Sequence, residues 1–481
     1  MRVPLISGPY QARSLIASAQ RSVNLFPESN AGDPQAPVPV TQYPTPGLVR
    51  FSESATVRVV RQIYRASNGS LYAVIGPDVY YIDSTGAQTL LGSIADQPTT
   101  CYFADNGLAI VLVDGTATGY AINMSDNSFG TIVDVNFLGA DFVIYFDTYF
   151  VFNEPDSNRF YISLSFVDYT LLTTGVSFDP LDVAAKSGQA DNIVGIVASQ
   201  PYFLLVGSLS AEAWYNTGAA DFTFGRVQGT FIPHGCIAPY SIASQDIFAF
   251  WLSQDNQGTS IIVRAKGAVV ERISTHAIEA EINGFTTKND AIGMCYQQEG
   301  HAFYICTFPT EQKTYVFELA TQQWHERAFI DGNGELKRHR MNCAAYAYEK
   351  NLVGDWQNGR LYELDPNVGT DDDNPILRLR TFPHMINNGQ RVIYTSFIVD
   401  MQTGTITDDT NPQISLRWSD DKGVTYGNAV MQTMGSVGKY LTQVSFNRLG
   451  MARDRVFEIS WSTPNKTALN GAFVEMTPCR T

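Results

Sequence analysis

The chain has 481 residues, of which 44% are hydrophobic and 12% aromatic, so its composition is that of a folded protein and not of a disordered one. Its net charge of −15 is concentrated in residues 48–375, where 37 acidic side chains oppose 18 basic ones. Because phosphate binding requires clustered Lys and Arg, this acidic region is not expected to bind nucleic acid tightly.

Residues 1–47 are predicted to form an extended N-terminal arm. Five prolines fall between positions 34 and 46, and no convincing series of strands is visible. Such an arm is either a flexible tail or a strap docked on a neighbour. The apolar side chains within residues 21–28 and 43–51 favour docking.

Residues 48–375 are predicted to form a β-propeller. One hairpin recurs: an apolar run ends in a polar turn and returns as an aromatic-rich strand. Successive copies start roughly 47 residues apart on average, within the range of four-stranded propeller blades. The copies lie at residues 71–83, 108–123, 149–163, 202–216, 247–264, 302–319 and 351–365.

Runs of small residues precede several hairpins, at 193–199, 241–245, 291–296 and 342–348. They suit the innermost strand of a blade, where side chains crowd the axis. We favour seven blades, with six as the alternative because the second copy is short and the third irregular. Residues 48–51 are a candidate outer strand that closes the ring, which would leave residues 376–382 to begin the next domain. Otherwise residues 376–382 form the last outer strand, and both arrangements stay open.

Residues 376–481 are predicted to form a C-terminal β-sandwich. Residues 391–401, 413–418, 443–446 and 456–461 alternate between apolar and polar side chains, as half-buried strands do. No helix longer than two turns is expected anywhere. The fold class is therefore all-β: a propeller with an extended N-terminal arm and a C-terminal sandwich.

A turn motif of the S-x-D-x-G-x-T-aromatic type lies within this last region. Its members are Ser419, Asp421, Gly423, Thr425 and Tyr426. The hydroxyl and carboxylate can accept backbone N–H groups while the glycine adopts a positive φ. The motif is therefore predicted to stabilise a turn and to have no catalytic role.

Two short charge runs have alternative interpretations. The acidic run at 371–373 lacks the alternating oxygen ligands and closing carboxylate of a calcium loop, so a solvated loop is predicted. The basic run containing Lys337, Arg338 and Arg340 is a solvated loop by default. Its alternative role is an electrostatic contact with an acidic partner.

Signatures of catalysis, cofactor binding and membrane insertion are missing from the sequence. It contains no H-E-x-x-H, G-x-S-x-G or Walker A motif, and its six histidines lack ligand spacing. No apolar run reaches the roughly 18 residues of a membrane-spanning helix. The six cysteines lack metal spacing, which indicates maturation in a reducing cytoplasm. We expect no enzyme activity, cofactor, metal or membrane contact, although a carboxylate pair for glycoside hydrolysis is invisible in a sequence.

Four motifs occur in a characteristic order: V-N-L-x-P-E at 23–28, P-G-L at 46–48, D-M-Q-T-G at 400–404 and L-R-W-S-D-D-K-G-x-T-Y at 416–426. With the arm, propeller and sandwich, this order resembles the tail hub proteins of short-tailed bacteriophages. These are also called packaged-DNA stabilisation proteins or tail accessory factors. The likeness covers essentially the whole chain.

The resemblance implies a homo-hexameric ring below the portal and its adaptor ring, in the tail of a virion assembled in the host cytoplasm. Tail fibres or spikes and a needle would attach to the ring, which would line part of the channel that retains and ejects the genome. Packaged DNA would pass close by without tight binding. The channel would run between subunits, since a propeller axis is narrower than a duplex of about 20 Å. The candidate assembly interface comprises Val23, Asn24, Leu25, Phe26, Tyr43, Leu48, Lys337, Arg338 and Arg340.

Two other functions fit a propeller. A glycan-binding or glycan-cleaving protein acting on a host surface polysaccharide would need a concave site with convergent carboxylates and aromatic rings. An intracellular propeller that docks peptides is a further alternative, but it leaves the arm and the sandwich without a purpose.

Overall fold

The computed structural model describes residues 2–3, 11–30, 38–405, 412–464 and 467–479. Strands make up 50% of the structure and helices 4%, which confirms the all-β prediction. The described residues contain two α-helices, Tyr169–Thr174 and His276–Gly284, and a 3₁₀ turn, Pro239–Ser241. The second α-helix has nine residues and slightly exceeds the expected two turns.

Seven sets of four antiparallel strands form the blades of the propeller; five are separate sheets, and those of blades six and seven belong to larger sheets. The second strand is the most buried, because neighbouring blades cover both of its faces; Leu71–Ile75 and Ala109–Val113 are buried throughout. From inner to outer, the strands of blades one to four are Val60–Arg65, Leu71–Ile75, Asp78–Ile82, Gln88–Ser93; Tyr102–Asp105, Ala109–Val113, Gly119–Asn123, Phe129–Thr131; Val143–Phe146, Tyr149–Asn153, Arg159–Ile162, Val183–Ala185; and Ile193–Ser199, Tyr202–Gly207, Ala211–Asn216, Phe224–Arg226.

The remaining three blades follow the same plan. Across all seven, the predicted hairpins correspond to the second and third strands. The strands of blades five to seven are Ala243–Gln245, Phe248–Gln254, Ser260–Lys266, Val269–Arg272; Ile292–Gln298, His301–Phe308, Lys313–Glu318, Gln323–Glu326; and Met341–Ala347, Lys350–Asp355, Arg360–Asp365, Gly47–Glu53.

The ring closes through the N-terminal part of the chain. Gly47–Glu53 is the outer strand of blade seven and pairs antiparallel with Arg360–Asp365. Of the two arrangements left open by the sequence, the structure therefore has the one in which residues 48–51 complete the last blade. A buried cluster containing Val60, Cys343 and Leu361 packs blade seven against blade one. Similar apolar clusters fill the space between the blades in each of the remaining neighbouring pairs.

The C-terminal part forms two sheets that face each other, which confirms the predicted sandwich. Their shared core contains Phe397, Ile414, Val444, Phe457 and Trp461. In order, the first sheet contains Leu25–Ser29, Val40–Pro44, Leu469–Pro478, Val392–Met401 and Val444–Asn447, with Arg2–Val3 and Met451–Ala452 at its sides; the second contains Ser22–Val23, Arg378–Thr381, Asp454–Trp461, Gln413–Ser419 and Val430–Thr433, with Met385–Ile386 beside it.

The N-terminal arm supplies four of these strands, so the expectation that it holds no series of strands is wrong. Leu25–Ser29 and Val40–Pro44 pair with each other as a hairpin at the border of the first sheet. Proline is excluded from central strands because it lacks an N–H, but a border strand tolerates it. Pro27 lies in Leu25–Ser29, the last strand of its sheet.

One sheet runs without interruption from the propeller into the sandwich. Ser22–Val23 pairs in parallel with Gln323–Glu326 of blade six and antiparallel with Arg378–Thr381 of the sandwich, giving ten strands. Because strand pairing crosses residues 47 and 375, the division into 1–47, 48–375 and 376–481 stays a prediction. Four short strands complete the described set: Ala328–Ile330, Leu336–Arg338, Thr370–Asp371 and Asn374–Pro375.

Candidate functional site

Residues 23–26, Tyr43 and Leu48 lie together where blades six and seven meet the sandwich. Residues 23–26 and Leu48 are buried, and Tyr43 is half-buried. All of these contacts are made within one chain. The structure thus gives these predicted interface residues an intramolecular role, while their role in assembly between chains stays a prediction.

Neighbouring residues of the arm enter different cores. The side chain of Leu25 lies in the sandwich core, whereas that of Phe26 lies between blades six and seven. Successive side chains of a strand point to opposite faces, which explains the division. The Phe26 ring meets the Phe303 ring edge-on with centroids 5.6 Å apart. Leu48 joins the same propeller cluster, so the arm packs both domains at once.

Asn24 connects three segments by hydrogen bonds. Its Nδ2 donates to the carbonyl oxygens of Ala328 and Leu377, both at 2.8 Å, and its Oδ1 accepts from the Ala328 N–H at 3.0 Å. Its backbone N–H donates to the Glu326 carbonyl at 2.9 Å, and its carbonyl accepts from the Thr45 N–H at 3.1 Å. Its φ is +56°, a conformation that Asn adopts more readily than most residues. Asn24 therefore joins the arm, the segment after blade six and the segment that enters the sandwich.

An ion pair reinforces this connection. Arg21 donates to both carboxylate oxygens of Glu326, at 2.9 and 2.8 Å, and Lys313 donates to the same group at 3.0 Å. Burial raises the pKa of Glu326, but Arg21 and Lys313 outweigh that effect and hold the pKa below its ordinary value. The carboxylate therefore stays ionised at neutral pH and ties the arm to blade six.

The acidic run at 371–373 is not the solvated loop that the sequence predicts. Asp371 is buried, and its backbone runs parallel to Leu48 of blade seven. Burial raises the pKa of Asp371 to about 7, against the opposing effect of Arg340, Arg378 and Arg327. Asp371 Oδ1 and Arg378 Nε lack a hydrogen-bond partner within the described structure. A polar cluster is thus enclosed between propeller and sandwich, because Asp371 pairs with the outer strand that closes blade seven.

Asp372, the next residue, fastens the closing strand of blade seven. Its Oδ1 accepts from Arg50 Nη2 at 2.8 Å, and its Oδ2 accepts from Arg360 Nη1 at 2.6 Å and from the Tyr362 hydroxyl at 3.2 Å. Arg50 lies on the outer strand, and the other two lie on its neighbour. Among the three aspartates, Asp373 alone is exposed.

The basic run is also structured, and the default of a solvated loop is wrong for most of it. Leu336–Arg338 is a strand. Lys337 is half-buried and donates to Glu335 at 2.6 Å. Arg338 is buried with its guanidinium 4.0 Å from the centre of the Trp356 ring, and burial lowers its pKa to about 10. Aromatic packing and strand pairing therefore withdraw these cations from solvent.

Arg340 and two histidines belong to the same interior region. Arg340 Nη1 lies 3.5 Å from Asp355, and its guanidinium lies 5.1 Å from the centre of the Phe329 ring. Burial, helped by nearby arginines, lowers the pKa of His339 to about 3 and that of His325 well below its ordinary value. Both imidazoles are therefore neutral at physiological pH.

The turn motif of the sandwich is held by its own side chains. Ser419 donates to Asp421 at 2.6 Å and accepts from the Gly423 N–H at 2.8 Å. Asp421 accepts from the backbone N–H and the hydroxyl of Thr425, at 2.8 and 2.6 Å. Hydrogen bonds from Ser419 and Thr425 lower the pKa of Asp421 to about 2, and Gly423 has a φ of +92°. Tyr426 is half-buried, and the role of the motif as a turn stabiliser stays a prediction.

The concave regions of the propeller include a cleft and a pocket. A cleft of about 850 Å³ between blades six and seven is bordered by Tyr346, Asn351 and Glu363. A pocket of about 300 Å³ lies among the inner strands, against Ile242 and Cys343. The described residues contain no group of three or more His, Cys, Asp or Glu side chains suited to a metal ion. They also contain no helix long and apolar enough to cross a membrane.

Asn24 and Arg338 are among the predicted interface residues, whereas Arg21, Glu326 and the other buried arginines are not. One signal was available: residues 323–329 place charged side chains among aromatic ones on a strand, where burial requires partners. No pattern links Arg21 to Glu326, because 305 positions separate them.

The protein is a β-propeller that shares one sheet with a β-sandwich, and this architecture defines its structural class. A family model described as "Bacteriophage P22 Gp10, beta-propeller" matches residues 1–369, and one described as "Bacteriophage P22 Gp10, beta-sandwich" matches residues 378–477. The chain therefore belongs to the bacteriophage P22 Gp10 family of tail hub and stabilisation proteins, and it is a structural protein of a phage tail. This confirms the resemblance drawn from the sequence motifs.

Solved propellers resemble the chain in fold. The WD40 β-propeller domain of Doa1 is 9% identical, with 67% of this chain and 96% of that chain covered and a TM-score of 0.40. Virginiamycin B lyase from Staphylococcus aureus is 9% identical, with coverages of 66% and 98% and a TM-score of 0.44. Both TM-scores lie below 0.5 and carry no functional information. No curated protein matches the chain.

Proposed function

We propose that this protein is the hub of a short phage tail, which joins the portal–adaptor complex to distal fibres, spikes and a needle. The observation that carries the proposal is that both domains match models of one tail-protein family, in chain order, at residues 1–369 and 378–477. Six copies form a ring that retains the packaged genome and later lets it leave. The protein is assembled in the host cytoplasm and remains in the virion tail.

The size of the axial pocket supports a channel between subunits. Its volume of about 300 Å³ is far below what a duplex about 20 Å wide requires. The acidic charge of residues 48–375 suits a surface near DNA that must not hold it.

The junction of the two domains suits a part that resists the pressure of packaged DNA. Asn24 and Arg21 hold the arm to both domains, and the ten-stranded sheet crosses between them. A load applied to the sandwich therefore reaches the propeller through hydrogen bonds and not through a flexible linker.

The alternative of a glycan-cleaving protein has less support. The cleft between blades six and seven is lined by Glu299, Glu349, Glu363 and Asp365. Glu363 forms an ion pair with Lys350, and Asp365 accepts the N–H of Asn367 at 2.8 Å. Glu363 and Asp365 thus have structural partners, and we expect the protein to have no enzymatic activity.

The test uses particles assembled without this protein. We expect them to contain portal and adaptor, to package DNA and to lose it, so that added nuclease degrades the genome. Purified wild-type protein should restore nuclease resistance. Particles that retain their DNA equally well without the protein would contradict the proposed retention role.

A further inference from the structure

An apolar surface is exposed on blade three and the loop that leads into it. Val133, Val135, Leu164, Leu171 and Val176 are between 38% and 91% exposed, and Val135 is the most exposed of them. These five side chains are called the blade-three surface below. Scattered exposed apolar residues are ordinary, whereas a connected group marks a contact site.

Hydrogen bonds place these residues side by side. Asp134, between Val133 and Val135, accepts the Ser177 N–H at 2.7 Å, and the Leu164 N–H donates to the Ser177 carbonyl at 2.9 Å. The Val133 N–H donates to the Leu172 carbonyl at 3.1 Å, next to Leu171. The backbone segments that carry the five side chains are therefore adjacent.

The segment that carries the blade-three surface is strongly acidic. Residues 131–182 contain eight acidic side chains and one basic side chain, a net charge of −7. Asp147, Asp156, Asp168 and Asp179 are exposed, whereas the basic residue, Arg159, pairs with Glu154. A partner of this surface must therefore offer apolar side chains with positive charge beside them.

The sandwich offers such a surface on the loop that follows Val430–Thr433. Val437, Tyr440 and Leu441 are 58%, 67% and 98% exposed, with Lys439 beside them; these four residues are called the sandwich loop. Across the described part of the sandwich, five exposed basic side chains form no ion pair: Arg391, Lys422, Lys439, Arg448 and Arg453.

The two surfaces lie at opposite ends of the molecule. Val430–Thr433 is the last strand of the ten-stranded sheet and lies five strands beyond Gln323–Glu326 of blade six. At about 4.8 Å per strand it is roughly 24 Å outside the propeller. Blade three is across the seven-bladed ring from blade six. A contact between such ends repeats in one direction and can close into a ring.

We propose that copies of this chain assemble head to tail, with the sandwich loop of one copy seated on the blade-three surface of the next. The inference rests on the proposed function, because it specifies which surfaces build the ring of the hub. The occupant of the blade-three surface is thus a second copy of this chain, identified by apolar match, opposite charge and position.

The test introduces one acidic residue into each surface. Val135→Glu and Leu441→Glu alter highly exposed side chains, so folding is unaffected. Val269→Glu on the outer strand of blade five, at 72% exposure, is the matched control. Titrated onto the immobilised portal–adaptor complex, wild type and the control should load cooperatively. Each of the other variants should need about tenfold more protein, the effect of losing one strong contact.

Mixing the two variants gives the decisive result. In a ring that alternates the two variants, the intact sandwich loop of the Val135→Glu copy meets the intact blade-three surface of the Leu441→Glu copy at every second contact, whereas every contact is altered in a ring of either variant. Because one substitution already removes a contact, an equal mixture should load better than either variant alone. Wild-type loading by both variants overturns the head-to-tail contact and leaves the hub proposal standing. Loading defects without recovery on mixing also overturn it, and indicate that another virion protein occupies these surfaces. Failure of wild type to bind the complex contradicts the hub proposal itself.

Discussion

Aspartate side chains organise many turns of this protein, which gives part of its acidic charge a structural purpose. Asp83, Asp255 and Asp331 each accept backbone N–H groups two and four residues ahead. These hydrogen bonds favour the ionised form and lower the pKa of each carboxyl. Such turns join successive strands by local hydrogen bonds, so the turns at these three aspartates are encoded locally.

Asp421→Asn tests the turn motif of the sandwich. The pKa of Asp421 is about 2 in the folded protein, below its ordinary value, so its stabilisation is complete above pH 4 and lost as pH falls through about 2. The variant should unfold at a lower denaturant concentration than wild type at pH 7, and the two should converge near pH 2. Asp373→Asn, at an exposed residue, is the control and should match wild type. A difference that does not change with pH would contradict the account.

Asn24→Gly tests the three-way connection at the junction. Glycine tolerates the positive φ but leaves the Ala328 and Leu377 backbone groups without their side-chain partner. We expect a loss of about 3 kcal/mol in the free energy of unfolding. Asn24→Ala should cost roughly 1 kcal/mol more, because its Cβ strains the left-handed backbone.

Asn388→Gly is the control for this substitution. Asn388 also has a positive φ, of +48°, but its side chain is exposed. We expect a change within about 0.5 kcal/mol in denaturant titration. Equal effects at both positions would mean that backbone conformation, and not hydrogen bonding, decides the stability.

Local hairpins could be predicted from the sequence, whereas pairing between strands far apart in the chain could not. The seven hairpins were predictable, because turn residues and apolar runs are local signals. The strand Ser22–Val23 was not, since its neighbours in the sheet lie some 300 residues away. The burial of Arg338 and Asp371 was missed for the same reason, because the rings and strands that enclose them come from distant segments. Proline-rich composition identified an extended arm but could not show which sheets it joins.

Asp371→Asn tests the enclosed polar cluster. Burial gives Asp371 a folded pKa of about 7, above its ordinary value, so wild type loses stability as pH rises from about 4 to 7. The variant lacks this loss. Its stability relative to wild type should therefore improve by about 2 kcal/mol between pH 5 and pH 8.

Asp372→Asn is the neighbouring control. The pKa of Asp372 is lowered, since Arg50 and Arg360 outweigh its burial, so its replacement should destabilise the protein at both pH values. A constant difference between Asp371→Asn and wild type would show that the buried carboxyl stays ionised across this range.

The whole molecule is a propeller and a sandwich built as one unit by the first 53 residues of the chain. Those residues close the ring as the outer strand of blade seven, bridge the two domains and enter both cores. This construction suits a rigid tail part, and the two apolar surfaces are the proposed contact between copies. The distribution of charge suits the same proposal, because residues 48–375 are acidic and residues 376–481 are basic.

Mass photometry of the purified protein, alone and with its virion's portal–adaptor complex, decides whether the protein is a hub. We expect a ring of six copies, either free or on the adaptor. A monomer that ignores the adaptor at every concentration would contradict the hub proposal.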